Sequence, residues 1–275
     1  MPVKNLKLNL EPSQADGSSQ QDLDRPTASD IFEQVARNAR QELKRPLLAL
    51  AISGLVGGLT MGLTGLGVSI AAAELGTSPV AQFVAHLLYP VGFIAVILGR
   101  AQLFTENTLY PVALILSERR HLLSTLRLWS IVLPCNLIGA LLFALLAERS
   151  GALRPEYLAS LTRIGVEAAS GTPSHIFWSG VIGGWIIALV AWMVSGSHSV
   201  TGSVMLIWVL TFLVGIGHFA HCIASSGEIL SSVLSHQTAL SAYLSWLGPA
   251  VAGNITGGVV LVTLLEYGQV HGRSA

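Results

Sequence analysis

The stretch Leu98-Gly99-Arg100-Ala101-Gln102-Leu103-Phe104-Thr105-Glu106-Asn107 interrupts a long apolar segment with an arginine, a glutamine, a glutamate and an asparagine. It lies where a membrane-spanning helix should be most hydrophobic. Within lipid, irregular backbone is tolerated only where it is buried in protein or lines a cavity, because unpaired N–H and C=O groups are costly there. An ionisable residue at membrane depth indicates a functional site. We therefore expect this stretch to form the floor of a polar pathway.

The composition is that of a membrane protein with several spans. Of the 275 residues, 52% are hydrophobic and only 11% are charged, and the mean hydropathy is +0.63. A soluble domain carries about a quarter charged residues. The formal net charge is zero and the basic residues form no patch with interleaved aromatic residues, which argues against nucleic acid as a partner. The two cysteines, Cys135 and Cys222, lack the spacing of a zinc or redox motif, so we expect no metal and no cofactor.

The chain divides into four regions. Residues 1–29 are rich in Ser, Gln and Asp and predict a disordered cytoplasmic tail without a signal peptide. Residues 30–46 predict an amphipathic helix, in which Asp30 and Glu33 form a capping box and Pro46 ends the helix. Residues 47–268 are predicted to be the transmembrane channel domain, and residues 269–275 a cytoplasmic C-terminal tail.

Six apolar segments predict membrane spans, each about long enough for a hydrocarbon core of roughly 30 Å. They cover residues 47–73, 82–117, 126–147, 175–195, 203–234 and 242–267. The second and fifth are too long for one plain span, so each is predicted to consist of two half-helices joined by an irregular stretch. Arginine and lysine are concentrated before the first span and between the second and third. By the positive-inside rule, both termini of this multi-pass membrane protein are predicted to be cytoplasmic.

Short motifs recur in the two halves of the chain. Residues 54–58 resemble residues 180–184, and residues 136–140 resemble residues 254–258. This register sets the stretch 99–105 opposite the stretch 215–221. Because each half has three spans, an odd number, the second half must enter the membrane from the opposite face. The pattern therefore predicts an inverted 3+3 repeat with a substrate site near the bilayer midplane, where the two broken spans meet.

The first break carries candidate pore residues. Leu103 and Phe104 are expected to form an apolar constriction, and the Thr105 hydroxyl to donate a hydrogen bond to a passing anion. Arg100, Gln102 and Glu106 would set the local electrostatics. An alternative stays open, in which Arg100 and Glu106 only pair with each other, since buried membrane charges usually pair.

The second break, Gly215-Ile216-Gly217-His218-Phe219-Ala220-His221-Cys222, places two histidines three residues apart in apolar sequence. His221 lies opposite Thr105 in the predicted register and is the candidate for proton exchange, since imidazole titrates near neutral pH. His218 is either a packing residue or a contributor to pore electrostatics. Asn136 and Asn254 are expected to pin the half-helices by side-chain hydrogen bonds, or to reach the pathway.

Four motifs resemble the formate/nitrite transporter family. Leu103-Phe104-Thr105-x-Asn107 resembles its span-two loop, Asn136-Leu137-Ile138-Gly139-Ala140 its third span, His221-Cys222-Ile223-Ala224 its central-histidine motif, and Gly253-Asn254-Ile255-x-Gly257-Gly258 its sixth span. The sequence departs from the family pattern at Arg100, Ala101, Gln102 and Glu106, and it has Ser225 and Ser226 where the family has an asparagine. It therefore resembles a divergent branch of the family.

The resemblance implies an all-α, aquaporin-like protomer in a homopentamer, with one pore per subunit. It implies passage of small monovalent weak-acid anions such as formate or nitrite, with protons and membrane lipid as the other partners and His221 as the central proton-exchanging residue. Two alternatives remain from the residues: a pore for water or glycerol-like solutes, and a non-conducting membrane scaffold. An enzyme is not expected, because the sequence has no nucleophile with a base, no carboxylate pair and no complete metal ligand set.

Overall fold

The computed structural model describes residues 26–272, and every regular element in this range is a helix. We number the α-helices in chain order. They are α1 (Ala28–Leu43), α2 (Leu47–Leu75), α3 (Pro79–His86), α4 (Pro90–Leu98), α5 (Tyr110–Glu118), α6 (Leu122–Arg149), α7 (Pro155–Ala169), α8 (Pro173–Ser195), α9 (Val200–Ile216), α10 (Ala224–Leu234), α11 (Leu240–Thr256) and α12 (Leu265–His271). A 3₁₀ turn covers Glu106–Thr108, and a π-helical segment, Gly257–Leu264, continues α11.

Within residues 26–272, five segments are long and apolar enough to cross a membrane: Leu47–Leu75, Pro79–Leu98, Leu122–Arg149, Pro173–Ser195 and Leu240–His271. Helix α9 is apolar but has only 17 residues, because the second break ends it. The two predicted breaks are present, one between α4 and α5 and the other between α9 and α10. The second predicted span is also bent between α3 and α4, ahead of Pro90.

The N-terminal helix begins earlier than predicted. Thr27 is its N-cap, and Thr27 and Asp30 form the capping box, so the predicted pairing of Asp30 with Glu33 is wrong. The helix ends at Leu43, before Pro46. Its buried face, which includes Phe32, packs against α5, α8 and α12. The predicted disordered tail falls almost entirely on residues 1–25, outside the described residues.

A surface helix occupies the connection between the third and fourth predicted spans. Helix α7 begins at Pro155 and packs along α10 and α2. Gly165 makes the close approach to α10 possible, since a Cβ atom at this position would lie 2.1 Å from the Glu228 carbonyl oxygen. The contact places α7 beside α10, the second half-helix of the fifth predicted span.

Glycines let the two longest helix pairs approach closely, as the sequence spacing indicates. A Cβ atom at Gly58 of α2 would lie 1.9 Å from the Asn136 carbonyl oxygen of α6, and one at Gly184 of α8 would lie 2.3 Å from the Asn254 carbonyl oxygen of α11. These contacts bring both asparagines next to the breaks. The pairing of α2 with α6 and of α8 with α11 therefore positions the candidate site.

Candidate functional site

Asn136 on α6 holds the first break in place. Its side-chain oxygen accepts a hydrogen bond from the Phe104 N–H at 2.8 Å, and its amide nitrogen donates to the carbonyl oxygens of Gly54, at 2.6 Å, and Gln102, at 2.9 Å. Both amide hydrogens and the oxygen are thus used. Asn136 therefore positions the loop, and the structure does not place it as a free donor for a substrate.

Asn254 on α11 holds the second break in the same way. Its side-chain oxygen accepts from the Cys222 N–H at 2.8 Å, and its amide donates to the carbonyl oxygens of Gly180, at 2.8 Å, and Ala220, at 2.9 Å. The two sets of bonds match, which supports the predicted two-half repeat. The inverted orientation of the halves stays a prediction.

The register of the repeat differs from the predicted one by two positions. Phe104 corresponds to Cys222 through their bonds to the two asparagines, a spacing of 118 residues. At the same spacing, Arg100 and His218 both have a left-handed backbone, with φ of 57° and 50°. His221 is thus equivalent to Leu103 rather than to Thr105. The sequence alignment was wrong because it matched glycines, whereas the backbone aligns on the asparagine bonds.

Thr105 and His221 nevertheless meet. The Thr105 Oγ lies 2.8 Å from His221 Nε2, and both side chains are fully buried. The backbone N–H of Ala224 donates to His221 Nδ1 at 3.0 Å, so Nδ1 is an acceptor and the ring hydrogen of the neutral form is on Nε2. Nε2–H then donates to Thr105. The Thr105 hydroxyl hydrogen is left available to a further acceptor.

The apolar residues predicted as a constriction surround this contact. Leu103 and Phe104 are both buried, with exposures of 0% and 1%. Phe104 lies edge-on to Trp129, with ring centroids 5.7 Å apart, and Phe93 lies edge-on to His221 at 5.0 Å. The Thr105–His221 contact therefore lies in a buried, largely apolar part of the protein.

A cavity of about 510 Å³, which we call the α1 vestibule, lies on one side of the constriction. Among the described residues that line it, Arg100 is the one arginine or lysine. Glu106 is buried at its wall. Neither residue forms an ion pair with any of residues 26–272, so the predicted pairing of Arg100 with Glu106 is absent.

Gln102 connects this vestibule to the N-terminal helix. Its amide donates to the Glu42 carboxylate at 2.8 Å and its side-chain oxygen accepts from the Asn107 amide at 2.8 Å. Glu42 is also paired with Arg45 at 3.0 Å. Gln102 therefore ties α1 to the break instead of lying free in the pathway, a link that the sequence did not indicate.

A second cavity, of about 310 Å³, lies on the other side of the constriction, and we call it the histidine vestibule. His175 and Ser179 at the start of α8 line it, whereas Val194 and Ser195 at the end of α8 line the α1 vestibule. The 23-residue α8 would span about 34 Å at 1.5 Å per residue, so the two cavities open at opposite ends of the helix bundle.

The histidine vestibule brings His218 together with residues that the sequence did not single out. His218 lines it and lies edge-on to His86, with ring centroids 5.2 Å apart. His86, Tyr89 and Glu228 share the cavity with it. In the sequence, these residues could have been noticed as polar side chains within apolar segments. No local sequence pattern, however, shows that they share one cavity. Within residues 26–272, no group of three or more His, Cys, Asp or Glu side chains is arranged to hold a metal.

The fold and the paired breaks can now be set against known proteins. The family model described as "Formate/nitrite transporter" matches residues 29–268, which is most of the chain. The chain belongs to the formate/nitrite transporter family. Its sequence is 31% identical over 247 residues to the "Inner membrane protein YfdC" of Escherichia coli (strain K12), covering 89% of this chain and 79% of that protein.

Solved structures of the formate/nitrite transporter family have the same fold. An "FNT family ion channel" superimposes with a TM-score of 0.79 at 19% identity, covering 87% of this chain and 98% of that one. A "Pentameric formate channel with formate bound" gives a TM-score of 0.68 at 18% identity, covering 84% of this chain and 97% of that one. The chain is therefore an all-helical membrane protein of a transporter family, as the sequence predicted.

Proposed function

We propose that this protein is a channel or transporter for small monovalent weak-acid anions, with formate and nitrite as the first candidates. The single observation that carries the proposal is the Thr105–His221 hydrogen bond of 2.8 Å, held between two separate vestibules by the two asparagine clamps. Membership of the formate/nitrite transporter family supports the same conclusion. Protons are the proposed co-substrate.

The chemistry of the contact suits an anion with one or two oxygen acceptors. The His221 ring donates to Thr105, so the Thr105 hydroxyl can turn its hydrogen to the substrate. A hydrogen bond to a charged acceptor contributes about 1.5–3 kcal/mol. Leu103 and Phe104 strip water from the substrate at the same level, and Arg100 attracts anions into the α1 vestibule.

The proposal includes proton exchange at His221, but only when a hydrogen bond to its ring is broken. A second proton on the ring has to bind at Nδ1, the atom that accepts the Ala224 N–H. That step requires the first turn of α10 to give up a hydrogen bond. His221 therefore serves first as a donor that orients Thr105, and exchanges protons only when this bond opens.

Assembly and location complete the proposal. One relative in structure carries the name of a pentameric formate channel, and we propose a homopentamer with one pathway per subunit for this chain. The similarity to an inner membrane protein and the basic residues near the first and second spans support the plasma membrane, with both termini in the cytoplasm.

The test is the exchange of radiolabelled formate in proteoliposomes that contain wild type, Thr105→Val or Thr211→Val. Valine keeps the shape of threonine and removes the hydroxyl. Thr211 is the matched control, because it is buried on α9 and its hydroxyl bonds only the Ile207 carbonyl of its own helix. The loss of one charged hydrogen bond predicts roughly a 10- to 100-fold slower exchange for Thr105→Val and an unchanged rate for Thr211→Val.

Two outcomes contradict the proposal. Equal exchange by wild type and Thr105→Val would remove Thr105 from the mechanism. Failure of wild type to exchange formate or nitrite, together with osmotic swelling in glycerol, would instead establish a pore for neutral solutes.

A further inference from the structure

Glu228 is a buried acid that the proposed mechanism does not yet use. It lies one helical turn after Ala224 on α10, is 5% exposed, and lines the histidine vestibule. Its carboxyl group forms no hydrogen bond and no ion pair with any of residues 26–272. A buried acid with a structural role is expected to be paired, so this isolation needs another explanation.

A glycine of a neighbouring helix leaves space for the Glu228 side chain. A Cβ atom at Gly65 of α2 would lie 2.7 Å from the Glu228 Cγ and 3.1 Å from its Oε1. On the α7 side, Gly165 lies against the Glu228 backbone. Gly65 therefore leaves room for the Glu228 side chain, and Gly165 lets α7 approach the backbone of α10. The residue also lines the histidine vestibule.

The ionisable groups on the elements packed against α10 are engaged elsewhere. On α7, Glu167 is paired with Arg163 at 3.0 Å, and on α6 Glu148 accepts a hydrogen bond from Ser231. On α11, Tyr243 lies 3.0 Å from the Ser226 hydroxyl, and on α2 Glu74 is paired with Arg154. The other titratable groups that line the cavity with Glu228 are His86, Tyr89, Glu167, His175 and His218.

This environment gives Glu228 no compensating cation. No arginine or lysine is among the described residues that line the histidine vestibule. A charged carboxylate without a partner is costly at membrane depth, whereas a protonated carboxyl group is not. The open side of the group touches the cavity, so its proton is accessible to whatever enters.

We propose that Glu228 is the proton donor that converts an arriving weak-acid anion to its neutral acid in the histidine vestibule. In this step the O–H bond of Glu228 breaks and its proton bonds to the anion, which leaves a Glu228 carboxylate and an undissociated acid. The neutral acid then crosses the apolar constriction. The carboxylate regains a proton from hydronium in the vestibule, with His86 and His218 as neighbouring carriers.

The inference rests on the proposed function and assigns the pH dependence of transport to Glu228 instead of His221. It also limits the substrates to anions that accept a proton from a carboxylic acid. Anions of strong acids, such as nitrate and chloride, lack this property. They are expected to be excluded because they would have to cross the apolar constriction in the charged form.

The experiment measures radiolabelled formate exchange at equal pH on both sides of proteoliposomes, so that the orientation of the protein does not matter. Wild type is compared with Glu228→Gln, Glu228→Asp and Glu148→Gln. Glu148 is the matched control, a carboxyl group of α6 that accepts a hydrogen bond from Ser231 of α10 and lines neither vestibule. Positioned proton donors accelerate reactions about 10²- to 10⁴-fold, so Glu228→Gln should exchange formate roughly 100-fold more slowly near neutral pH.

The pH profile separates proton donation from a structural role. The Glu228→Gln defect should shrink as the pH falls, because formate then arrives already protonated. Glu228→Asp should keep the wild-type profile at a lower rate, and Glu148→Gln should keep it at the wild-type rate. Infrared difference spectra should show a protonated-carboxyl C=O band that Glu228→Gln lacks.

Either of two results overturns the inference. If wild type exchanges formate and Glu228→Gln keeps the same rate and profile, the proposed function stands and the role of Glu228 is refuted. If the protein exchanges no weak acid at any pH, the proposed function fails and proton donation fails with it.

Discussion

Replacement of Asn136 by leucine tests the clamp that holds the first break. Leucine has a similar volume but cannot form the three hydrogen bonds. The Phe104 N–H and the Gln102 C=O are then left without a partner, while the Gly54 C=O remains inside helix α2. Each orphaned buried group costs about 1–3 kcal/mol. We therefore expect Asn136→Leu to lower the free energy of unfolding by about 4 kcal/mol, a factor of about 10³ in the equilibrium.

The assay is equilibrium unfolding of the detergent-solubilised protein, followed by tryptophan fluorescence and circular dichroism. Asn254→Leu should cost about as much, because it removes three hydrogen bonds of the same kind at the second break. Thr256→Ala on the same helix is the control, since it removes only a bond to the Ala252 carbonyl of its own helix. An Asn136→Leu variant no less stable than this control would refute the reasoning.

Two further predictions concern helix packing and the N-terminal helix. Gly58→Ala should destabilise the protein by about 1–3 kcal/mol in the same assay, because the new Cβ atom would overlap the Asn136 carbonyl oxygen; Gly248→Ala, with nothing within 4 Å, should instead stabilise it by about 0.5–1 kcal/mol, and equal effects would contradict the packing argument. His121, Arg120 and Arg40 hold the pKa of Glu118 at about 2, below its ordinary 4.5. Because the folded-state pKa is lowered, the Arg40–Glu118 contribution is present above pH 4.5 and lost as the pH falls toward 2. The protection of α1 amides against hydrogen exchange, taken relative to the intrinsic rate at each pH, should therefore fall over that range in wild type and be low throughout in Glu118→Gln.

Two of the candidate pore residues were identified correctly as a contacting pair, although the sequence register used to pair them was wrong. Thr105 and His221 could be found because each is polar within a long apolar run. Their contact was predicted from a register that proved wrong by two positions. The fold brings Thr105 and His221 together because the two breaks lie next to each other. Their side chains are long enough to form a hydrogen bond although the two residues are not equivalent in the repeat.

The role of Gln102 could not be read from the sequence. It was a candidate for pore electrostatics, yet its amide donates to Glu42 of α1. For Asn136 the sequence left two roles open, and its hydrogen bonds to the loop backbone agree with the expected pinning role rather than with a place in the pathway. A polar residue at membrane depth has to be satisfied, but its partner comes from another helix. Sequence spacing gives no information on that partner.

The sequence by itself determined the fold class, the broken spans, the clustered small residues and the family motifs, because hydrophobicity, chain breaks and glycine spacing are local properties that lipid enforces residue by residue. Only the tertiary structure decided which polar groups are satisfied and which are left facing a cavity. His86, His218 and Glu228 come from three separate elements and meet across one vestibule. Whether such a side chain has a hydrogen-bonding or charged partner depends on how the helices pack. The free energy of a buried charge therefore depends on this packing and not on the neighbouring residues in the sequence.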